Sequence, residues 1–567
     1  MKNTGKNSYF FLLVSFVVTA LLVGAPAYAQ DKTAEVDKVA EVDKVAEVDK
    51  IFGWTKPDAP GCAVAVSHNG KVVVNKAYGS ADLERDVPIT PSTVFDAASV
   101  SKQFVSAAVL LLVEDGKLSL TEDIRKYVPQ LPDYAHKITL DHLMTHTSGV
   151  RDWTGIMPMT AGHDDALAIT LRQRGLNFAP GEEFSYSNSG FVLLKEIVAR
   201  VSGMSFDDFT RKRLFEPLGM KNTAYRADLR RVVKNRALAY EKGPNGWSMA
   251  IKLDNVRGGQ GGLLSTASDL LIWNDALTNS RLGAFVTEKI HEQAKLNSGR
   301  KVGYSRGLVI ETYRGAKEVW HSGGAGGYST FLGRYPEHGL SIAIQCNTDA
   351  TSSTALARRI VDLYVPAPAD GSVDGPPPIA AEGVDAAGLD LSGRTGLYFS
   401  EAGEPMQLAV DRGRLRVAGG PALVAQSKGL FKRWGADVEY MSGDESEVNF
   451  LSTDQFELRS TDGKTTRYRR AKGYAPTAEE LKAFAGRYES DEIGVVFRFE
   501  TKGNTLQALI EHSPSRVLEI KPVDRDTFQI SRMFMRFVRD KSGKVVALDY
   551  SNPVIRNVKF TRLSDRQ

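Results

Sequence analysis

The chain has 567 residues, of which 42% are hydrophobic and 25% are charged, and its formal net charge at pH 7 is +4. This composition is that of a soluble globular protein, and the length predicts two to four domains. Because acidic and basic residues nearly balance, charge gives no basis for binding nucleic acid or an anionic membrane surface.

Residues 1–29 have the pattern of a secretory signal peptide. Lys2 and Lys6 precede an apolar run from Phe10 to Val23, and Ala27-Tyr28-Ala29 has the small-x-small form of a cleavage site. The run is short for a membrane span, and no later run reaches the ~18 apolar residues required. We therefore expect export to the periplasm or the extracellular space, with no stable membrane insertion after cleavage.

A six-residue repeat fills most of the next segment, residues 30–50, as "AEVDKVAEVDKVAEVDK". Valine recurs every three residues, a spacing that drifts around an α-helix and does not keep to one face. This pattern predicts a solvated low-complexity spacer.

The residues that could form a disulfide or ligate a metal are few. The two cysteines are Cys62 and Cys346. Export would permit a disulfide, but each lies in a strand-like apolar run, which favours two buried free thiols. His142 and His146 are four residues apart, but the glutamate of the zinc-protease motif is missing. The sequence thus predicts neither a metal nor a cofactor.

Strand-like and helical patterns mix in residues 51–364. "GCAVAVSHNGKVVVNKAYG" consists of two strand-like runs joined at Asn69-Gly70, which is a strong hairpin signal. "FLGRYPEHGLSIAIQCN" is a second hairpin near the other end, and helical patterns lie between the two. An α+β domain, with an antiparallel sheet flanked by helices, is the economical interpretation.

Two strand-rich segments that resemble each other make up the remainder of the chain, residues 389–470 and 471–567. A linker rich in proline, glycine and alanine, residues 365–388, precedes them. Four positions of the first segment recur at one offset in the second: Leu391, Gly396, Tyr398 and Gly413 correspond to Leu481, Gly486, Tyr488 and Gly503. We therefore predict two small antiparallel β-barrel domains of one type.

Ser99 and Lys102 stand at the start of a strongly apolar helical pattern that Gly116 can close. Their spacing places them on one face of the helix. Backbone N–H groups at a helix N-terminus point at developing negative charge, and a lysine partly removed from water can act as a base on the serine hydroxyl. The pair is therefore a candidate nucleophile and base.

Two other serines fit short nucleophile patterns. Ser298 and Lys301 repeat the Ser-x-x-Lys spacing, but in a polar stretch with no apolar helix after it. Ser305, in Gly303–Gly307, fits the G-x-S-x-G pattern, which must lie between a strand and a helix. Here "LVIETYRG" follows and predicts a strand, which disfavours Ser305 as the nucleophile.

With Ser99 and Lys102 on a buried helix, the chain resembles the serine β-lactamase and penicillin-binding protein family. That family uses Ser-x-x-Lys, then Tyr-x-Asn, then a basic residue-x-Gly on a strand. This chain shows Ser99/Lys102, Tyr186/Asn188 and His321-Ser322-Gly323 in that order, within residues 51–364. A second Tyr-x-Asn, Tyr550-Ser551-Asn552, follows the other motifs and ends a strand-like run, so it is assigned to a turn.

The resemblance implies a role for each motif residue. Ser99 would be acylated, while Lys102 and Tyr186 would share the transfer of its proton to the leaving group. Asn188 would hold the substrate amide, and the backbone N–H groups of Ser99 and Gly324 would form the oxyanion hole. Gly323 would let the strand approach the substrate closely.

The histidine of the third motif departs from the lysine found in many relatives. Lysine keeps its charge at neutral pH, whereas histidine is mostly neutral there, so a fixed cation for a substrate carboxylate is weakened at His321. This disfavours a strict carboxypeptidase or an efficient β-lactamase. The domain order, with a histidine in the third motif and two C-terminal barrels, is similar to that of bacterial D-aminopeptidases.

Three functions remain open at this point. The first is an exported serine hydrolase acting through Ser99 on D-amino-acid peptides or amides. The second is a carboxylesterase or weak β-lactamase at the same site. The third is a non-catalytic protein whose barrels bind a cell-wall fragment or another ligand. Each implies a small peptide, amide or ester as partner, and none excludes a homo-oligomer.

Overall fold

The computed structural model describes residues 43–564, except 161–164, 227, 229–230, 251–261, 300, 369–378, 412, 419–421, 434–445 and 461–462. The signal peptide predicted at residues 1–29 and the first part of the predicted spacer lie outside the described residues. Among the described helices, none is long and apolar enough to cross a lipid bilayer.

The last part of the predicted spacer is helical, which corrects the expectation of a solvated segment. Residues 43–51 form helix α1, and Val48 and Phe52 are fully buried. A three-residue spacing drifts by only about 60° per repeat, so over two turns Val45, Val48 and Phe52 still share one face. The drift matters only in a longer helix. Of the described residues, those up to Gly53 belong to one unit and those from Trp54 onward to another.

The α+β domain contains thirteen described strands: β1 (Cys62–His68), β2 (Lys71–Tyr78), β3 (Ser80–Asp82), β4 (Val87–Pro88), β5 (Phe95–Asp96), β6 (Ala224–Tyr225), β7 (Tyr240–Gly243), β8 (Gly246–Met249), β9 (Leu263–Ser265), β10 (Val309–Tyr313), β11 (Ala316–Ala325), β12 (Tyr328–Tyr335) and β13 (Leu340–Cys346).

Its described α-helices are α2 (Ser101–Glu114), α3 (Leu140–Met144), α4 (Ala166–Arg172), α5 (Asn188–Ser202), α6 (Phe206–Thr210), α7 (Glu216–Leu218), α8 (Ala267–Thr278), α9 (Ala284–His291) and α10 (Ser353–Tyr364). Short 3-10 turns occupy Ala98–Val100, Ile124–Lys126, Trp153–Gly155, Met157–Met159 and Pro336–His338, and a π-helical turn spans Arg211–Phe215.

The centre of this domain is a six-stranded antiparallel sheet with the order β10-β11-β12-β13-β1-β2. Both predicted hairpins are present: β1 and β2 meet at Asn69-Gly70, where both residues have positive φ, and β12 and β13 meet at the 3-10 turn Pro336–His338. Helix α2 is buried along most of its length, as its apolar faces predict. The predicted fold class, an antiparallel sheet with flanking helices, is confirmed.

The prediction of two free thiols is wrong, because Cys62 and Cys346 form a disulfide. The two residues are direct partners where β1 pairs with β13, and their Cα atoms are 4.0 Å apart. Each cysteine does lie in an apolar strand, as expected. The sequence did not show that these two strands, far apart in the chain, are neighbours in the sheet.

Removal of this disulfide should destabilise the protein. The bond joins positions 284 residues apart, so the unfolded chain loses a large loop-closure freedom when it is present. We expect the double variant Cys62→Ala/Cys346→Ala to lose about 2–4 kcal/mol of unfolding free energy. Urea denaturation under oxidising and reducing conditions measures this. Equal stability of the wild type in both conditions would contradict the prediction.

Two β-barrels follow, built from strands β14 (Gly396–Ser400), β15 (Pro405–Asp411), β16 (Arg414–Val417), β17 (Leu423–Ala425), β18 (Leu430–Arg433), β19 (Glu447–Ser452), β20 (Gln455–Arg459), β21 (Thr465–Arg470), helix α11 (Ala478–Lys482), β22 (Gly486–Ser490), β23 (Val495–Lys502), β24 (Thr505–Ile510), β25 (Ser513–Asp524), β26 (Thr527–Ile530), β27 (Met533–Arg539), β28 (Val545–Asn552) and β29 (Ile555–Arg562). Strands β22–β29 form a closed barrel. The other eight strands form a sheet that is nearly closed by a bridge between Arg416 and Ala422.

The residues that repeat between the two segments have equivalent places in the two barrels. Tyr398 and Tyr488 each donate from the hydroxyl to the carbonyl four residues earlier, at Arg394 and Phe484 respectively. In each barrel the repeated glycine at the start of the first strand, Gly396 or Gly486, has φ near +135° and lies against an arginine of the last strand. The recurrence therefore reflects one local design used twice, in which a glycine makes room for an arginine.

Candidate active site

Ser99 lies in the 3-10 turn that joins β5 to α2. The backbone N–H of Ala98 donates to the Asp96 carboxylate at 2.7 Å, which fixes the start of the turn. Ala98 has φ +47°, a strained conformation for an alanine, directly before the serine. Ser99 itself is partly exposed, whereas its neighbours Ala98 and Val100 are buried. The turn therefore presents one hydroxyl to solvent from an otherwise buried segment.

Lys102 is fully buried on the first turn of α2 and contacts two of the predicted motifs. Its Nζ atom lies 3.0 Å from Ser99 Oγ and 3.0 Å from Asn188 Oδ1. Burial lowers the pKa of Lys102 to about 7, while the charge of Asp152 opposes the shift. A large fraction of Lys102 is therefore a neutral amine at physiological pH, which can accept the serine proton.

Asn188 is the first residue of α5, but its side chain does not cap that helix. Its Nδ2 atom donates to Asp152 Oδ2 at 2.9 Å, and its backbone N–H donates to the same oxygen at 2.9 Å. Since Oδ1 accepts from Lys102, the carboxamide is held between the lysine and the aspartate. The side chain therefore positions the lysine and does not cap the helix, although asparagine is a good helix cap.

Tyr186 lies over Lys102, with the lysine Nζ 4.7 Å from the centre of the phenol ring. Burial raises the pKa of Tyr186, and the Ser99 hydroxyl is near enough to oppose that rise. Its buried hydroxyl completes no hydrogen bond of ordinary geometry among the described residues. The phenol thus stays protonated at neutral pH and lies beside both Ser99 and Lys102.

His321 lies on β11 and is buried behind Tyr186, with 6.3 Å between the two ring centres. Nδ1 lies 2.5 Å from the Ser322 carbonyl oxygen, which can only accept, so Nδ1 carries the proton. Nε2 therefore accepts from the Tyr304 hydroxyl at 3.0 Å. Burial lowers the pKa of His321 to about 3, with the charge of Lys102 adding to the effect. The third motif thus presents a neutral imidazole.

Gly323 allows β11 to pass against the turn that carries Ser99. A Cβ atom at position 323 would lie 2.4 Å from the Ala97 carbonyl oxygen and 3.1 Å from the Ser99 nitrogen. At the next position, Gly324 is exposed, and a Cβ there would meet no atom within 4 Å. The strand therefore approaches the nucleophile closely at 323 and faces open space at 324.

A methyl group at position 323 should therefore damage both stability and activity. We expect Gly323→Ala to cost about 1–3 kcal/mol of unfolding free energy, because the backbone atoms it meets cannot move aside cheaply. Gly324→Ala is the matched control for stability and should keep the wild-type melting temperature. Thermal denaturation of both variants makes the comparison. A Gly323→Ala protein that melts with the wild type would contradict the close approach.

The other serine and histidine candidates have local structural partners. Ser305 is fully buried and its hydroxyl donates to the Leu308 carbonyl, and the predicted strand, β10, follows it. His142 accepts at Nδ1 from Thr139 N, whereas His146 accepts at Nδ1 from Ser187 N, so the two imidazoles have separate roles. In the described residues no group of three metal-ligating side chains occurs.

Sequence reasoning missed three residues around the site. Asp152 is buried beside Asn188, and Tyr304 donates to His321. The His146 ring lies 4.2 Å from the Tyr186 ring, centre to centre, with 37° between the ring planes. Burial, with the charge of Lys102 adding to it, keeps the pKa of His146 well below its usual value. None of the three has a recognisable spacing to the motif residues.

The assembled groups can do the chemistry of acyl transfer. An accessible hydroxyl lies beside a buried neutral amine and a phenol, at the N-terminal end of a helix and next to an exposed stretch of strand. The sequence profile described as Beta-lactamase matches residues 42–365. The chain belongs to the Beta-lactamase family. It is accordingly a serine hydrolase.

Individual relatives extend the comparison beyond this domain. Penicillin-binding protein 4* of Bacillus subtilis is 27% identical over 423 residues, which are 68% of this chain and 91% of the relative. D-aminopeptidase of Brucella canis is 24% identical over 546 residues, which are 89% of this chain and 96% of the relative. The second match covers so much of the chain that it must extend beyond residues 42–365 into the strand-rich C-terminal part.

Among solved structures, the octameric penicillin-binding protein homologue from Pyrococcus abyssi has the same fold. It superposes with a TM-score of 0.50 at 23% identity, and the match covers 77% of this chain and all of that chain. At this identity the likeness shows the fold alone.

Proposed function

We propose that the protein is an exported amide hydrolase that forms an acyl-enzyme on Ser99 and acts on peptides or amides of D-amino acids. The observation that carries the proposal is the pair formed by the partly exposed Ser99 hydroxyl and the buried Lys102 amine, 3.0 Å apart. The lowered pKa of Lys102, about 7, supplies a base at neutral pH. This pair also argues against a non-catalytic binding protein, since a buried amine within hydrogen-bond reach of a partly exposed hydroxyl is the arrangement that activates a nucleophile.

In the proposed mechanism Ser99 Oγ attacks the carbonyl carbon while neutral Lys102 accepts its proton. The backbone N–H groups of Ser99 and Gly324 stabilise the oxyanion. Tyr186, which lies beside both groups, passes the proton to the leaving amine. The second proton of Asn188 Nδ2, not used by Asp152, is available to the substrate carbonyl. Water then hydrolyses the ester on Ser99.

The neutral, buried His321 supports an amide or aminopeptidase substrate over a C-terminal carboxylate. A group whose pKa is about 3 carries no positive charge at pH 7, so it gives a substrate carboxylate no fixed counter-ion. The similarity to a D-aminopeptidase along 89% of the chain points to the same substrate class. Esters and β-lactams fit the same nucleophile, so a carboxylesterase or weak β-lactamase is the second candidate.

Two features support export. The signal pattern of residues 1–29 directs secretion, and the disulfide between Cys62 and Cys346 is the kind of bond that persists in an oxidising compartment.

A substrate panel on the purified protein tests the proposal. Turnover is compared on D-alanine p-nitroanilide, L-alanine p-nitroanilide, p-nitrophenyl butyrate and nitrocefin, and mass spectrometry locates the label left by a fluorophosphonate probe. We expect labelling at Ser99 and the highest kcat/KM on the D-anilide, rising with pH through about 7 as Lys102 loses its proton. Higher kcat/KM on the butyrate or nitrocefin would favour the second candidate. Failure to label Ser99 would refute the acyl-enzyme.

A further inference from the structure

We propose that the closed C-terminal barrel is a positioning element of the active site: two of its turns hold residues 151–155 and, through the Asp152 carboxylate, fix Asn188 and Lys102. The inference rests on the proposed acylation of Ser99 and adds a role for a separate domain. It makes Asp152 and Asn552 positioning residues, since neither touches the reacting atoms.

Asp152 is the link between the barrel and the site. Its Oδ2 accepts twice from Asn188, and its Oδ1 accepts from the backbone N–H and the hydroxyl of Thr154. Burial raises the pKa of Asp152, whereas the four donors and the charge of Lys102 oppose that rise and favour the ionised carboxylate. Asn188 Oδ1 in turn accepts a hydrogen bond from Lys102 Nζ, and the same nitrogen lies 3.0 Å from Ser99 Oγ. A displacement of Asp152 would therefore be transmitted to the nucleophile through three successive hydrogen-bonded contacts.

The turn between β28 and β29 holds the segment that carries Asp152. Asn552 Nδ2 donates to the Gly155 carbonyl at 2.9 Å, and the Asp152 N–H lies 3.5 Å from the Val554 carbonyl oxygen. Asn177, from the same domain as Asp152, donates to that Val554 oxygen at 2.9 Å. A Cβ at Gly155 would lie only 2.7 Å from a methyl of Val554, so the side chains of this turn lie against the Gly155 backbone as closely as a glycine permits.

A second turn of the same barrel holds the other side of this segment. Glu492, between β22 and β23, accepts from the Arg151 guanidinium at 2.6 Å, and both side chains are nearly buried. Its carboxylate also accepts from Arg174 N at 2.7 Å, and its carbonyl accepts from Gln173 Nε2 at 2.9 Å. A buried charge is costly unless it has such partners. These bonds therefore hold the turn at Glu492 in one position against the segment that carries Arg151.

The apolar contacts are continuous across the same boundary. Trp153 and Ile156 belong to one buried hydrophobic cluster with the barrel core, and so does Val192 of α5. Helix α5 begins at Asn188, whose side chain contacts Lys102. One turn further along the helix, the Val192 side chain packs in the hydrophobic cluster of the barrel. The barrel therefore supports both elements that carry the Asp152–Asn188 contact.

Point variants of the full chain test this role. Asn552→Asp keeps the side-chain oxygen that accepts from Val554 N and Ile555 N, but it replaces the donor to Gly155 by a carboxylate. Asn552→Ala removes both the accepting oxygen and the donor to Gly155. Asn504→Ala is the matched control, because Asn504 is exposed in another turn of the same barrel, between β23 and β24.

We expect both Asn552 variants to lose about tenfold or more in kcat and in the rate of fluorophosphonate labelling, with KM changed less than about threefold, since small displacements of reacting groups are costly. Asn504→Ala should match the wild type. Asp152→Asn should lose activity similarly and move the acid limb of kcat/KM to lower pH, because the Asp152 charge holds up the pKa of Lys102. The other titratable groups around Lys102, namely His146, Tyr186 and His321, have pKa values that keep them neutral there.

Folded Asn552 variants with wild-type kcat and labelling rate would overturn the inference. Loss of the fold in both, together with wild-type kcat and acid limb for Asp152→Asn, would overturn it as well. The labelling experiment distinguishes failure of the proposed function from failure of this inference. If the wild type is not labelled at Ser99, acylation is refuted. If the wild type and every variant are labelled normally, only the role of the barrel is refuted.

Discussion

Replacement of Ser99 by alanine is expected to abolish turnover, with a loss of at least about 10³-fold in kcat, because no other group can form the acyl-enzyme. The change removes one partly exposed oxygen and leaves the strained turn at Ala98 and helix α2 intact. The fold should therefore persist. Single-turnover kinetics on p-nitrophenyl butyrate, with circular dichroism of the same sample, make the measurement.

Ser305→Ala is the matched control for this substitution. Ser305 lies in the other nucleophile pattern, but it is fully buried and its hydroxyl donates to the Leu308 carbonyl. Loss of that bond should cost about 1 kcal/mol of stability and leave kcat within a fewfold of the wild type. If Ser305→Ala abolished turnover and Ser99→Ala preserved it, the assignment of the nucleophile would be wrong.

The second large effect is expected for Lys102→Met, which should lower kcat/KM by about 10²- to 10⁴-fold, the range found for loss of a general base. Lys195→Met is the control, because Lys195 is also largely buried with a lowered pKa, but lies over the rings of Phe206 and Tyr225 on the far part of α5. Burial alone therefore does not distinguish the two lysines. Equal losses in both variants would show that a buried lysine matters here only for folding.

Lys102→Met should also change the dependence of stability on pH. The pKa of Lys102 is about 7 in the folded protein and about 10.5 in the unfolded chain. As pH falls from about 10.5 to 7, the unfolded chain binds a proton that the folded protein does not, so the lysine destabilises the fold increasingly. Below about 7 both states are protonated and the penalty is constant. The variant should therefore gain stability over the wild type across that interval, as measured by urea denaturation at each pH.

The motif residues could be predicted because each lies in a local pattern. Ser99 and Lys102 lie at the start of an apolar helix, Tyr186 and Asn188 lie at the start of another, and His321 lies on a strand next to glycines. The structure brings these residues together, with Lys102 touching Ser99 and Asn188 and lying over Tyr186. His321 is different: its place was predicted, but it is buried behind Tyr186 and hydrogen-bonded to Tyr304, a residue without a motif of its own.

The two copies of Tyr-Ser-Asn show the limit of such reasoning. The first copy supplies Tyr186 and Asn188 to the site. The second copy, predicted to lie in a turn, instead forms the last three residues of strand β28, directly before the turn at Pro553 and Val554. Nothing in the sequence indicates that this turn contacts the α+β domain. The contact joins Asn552 to Gly155, positions 397 residues apart, and leaves no periodic trace in either segment.

The sequence by itself determined the elements of this protein, because alternation of apolar residues, apolar helices and turn dipeptides act over a few residues. It also determined the order of the motifs and the duplication of the barrel. Only the tertiary structure decided that Cys62 meets Cys346, that Asp152 holds Asn188, and that the closed barrel supports residues 151–155. These contacts join distant segments whose pairing depends on how whole sheets and domains pack, and local patterns carry no record of that packing.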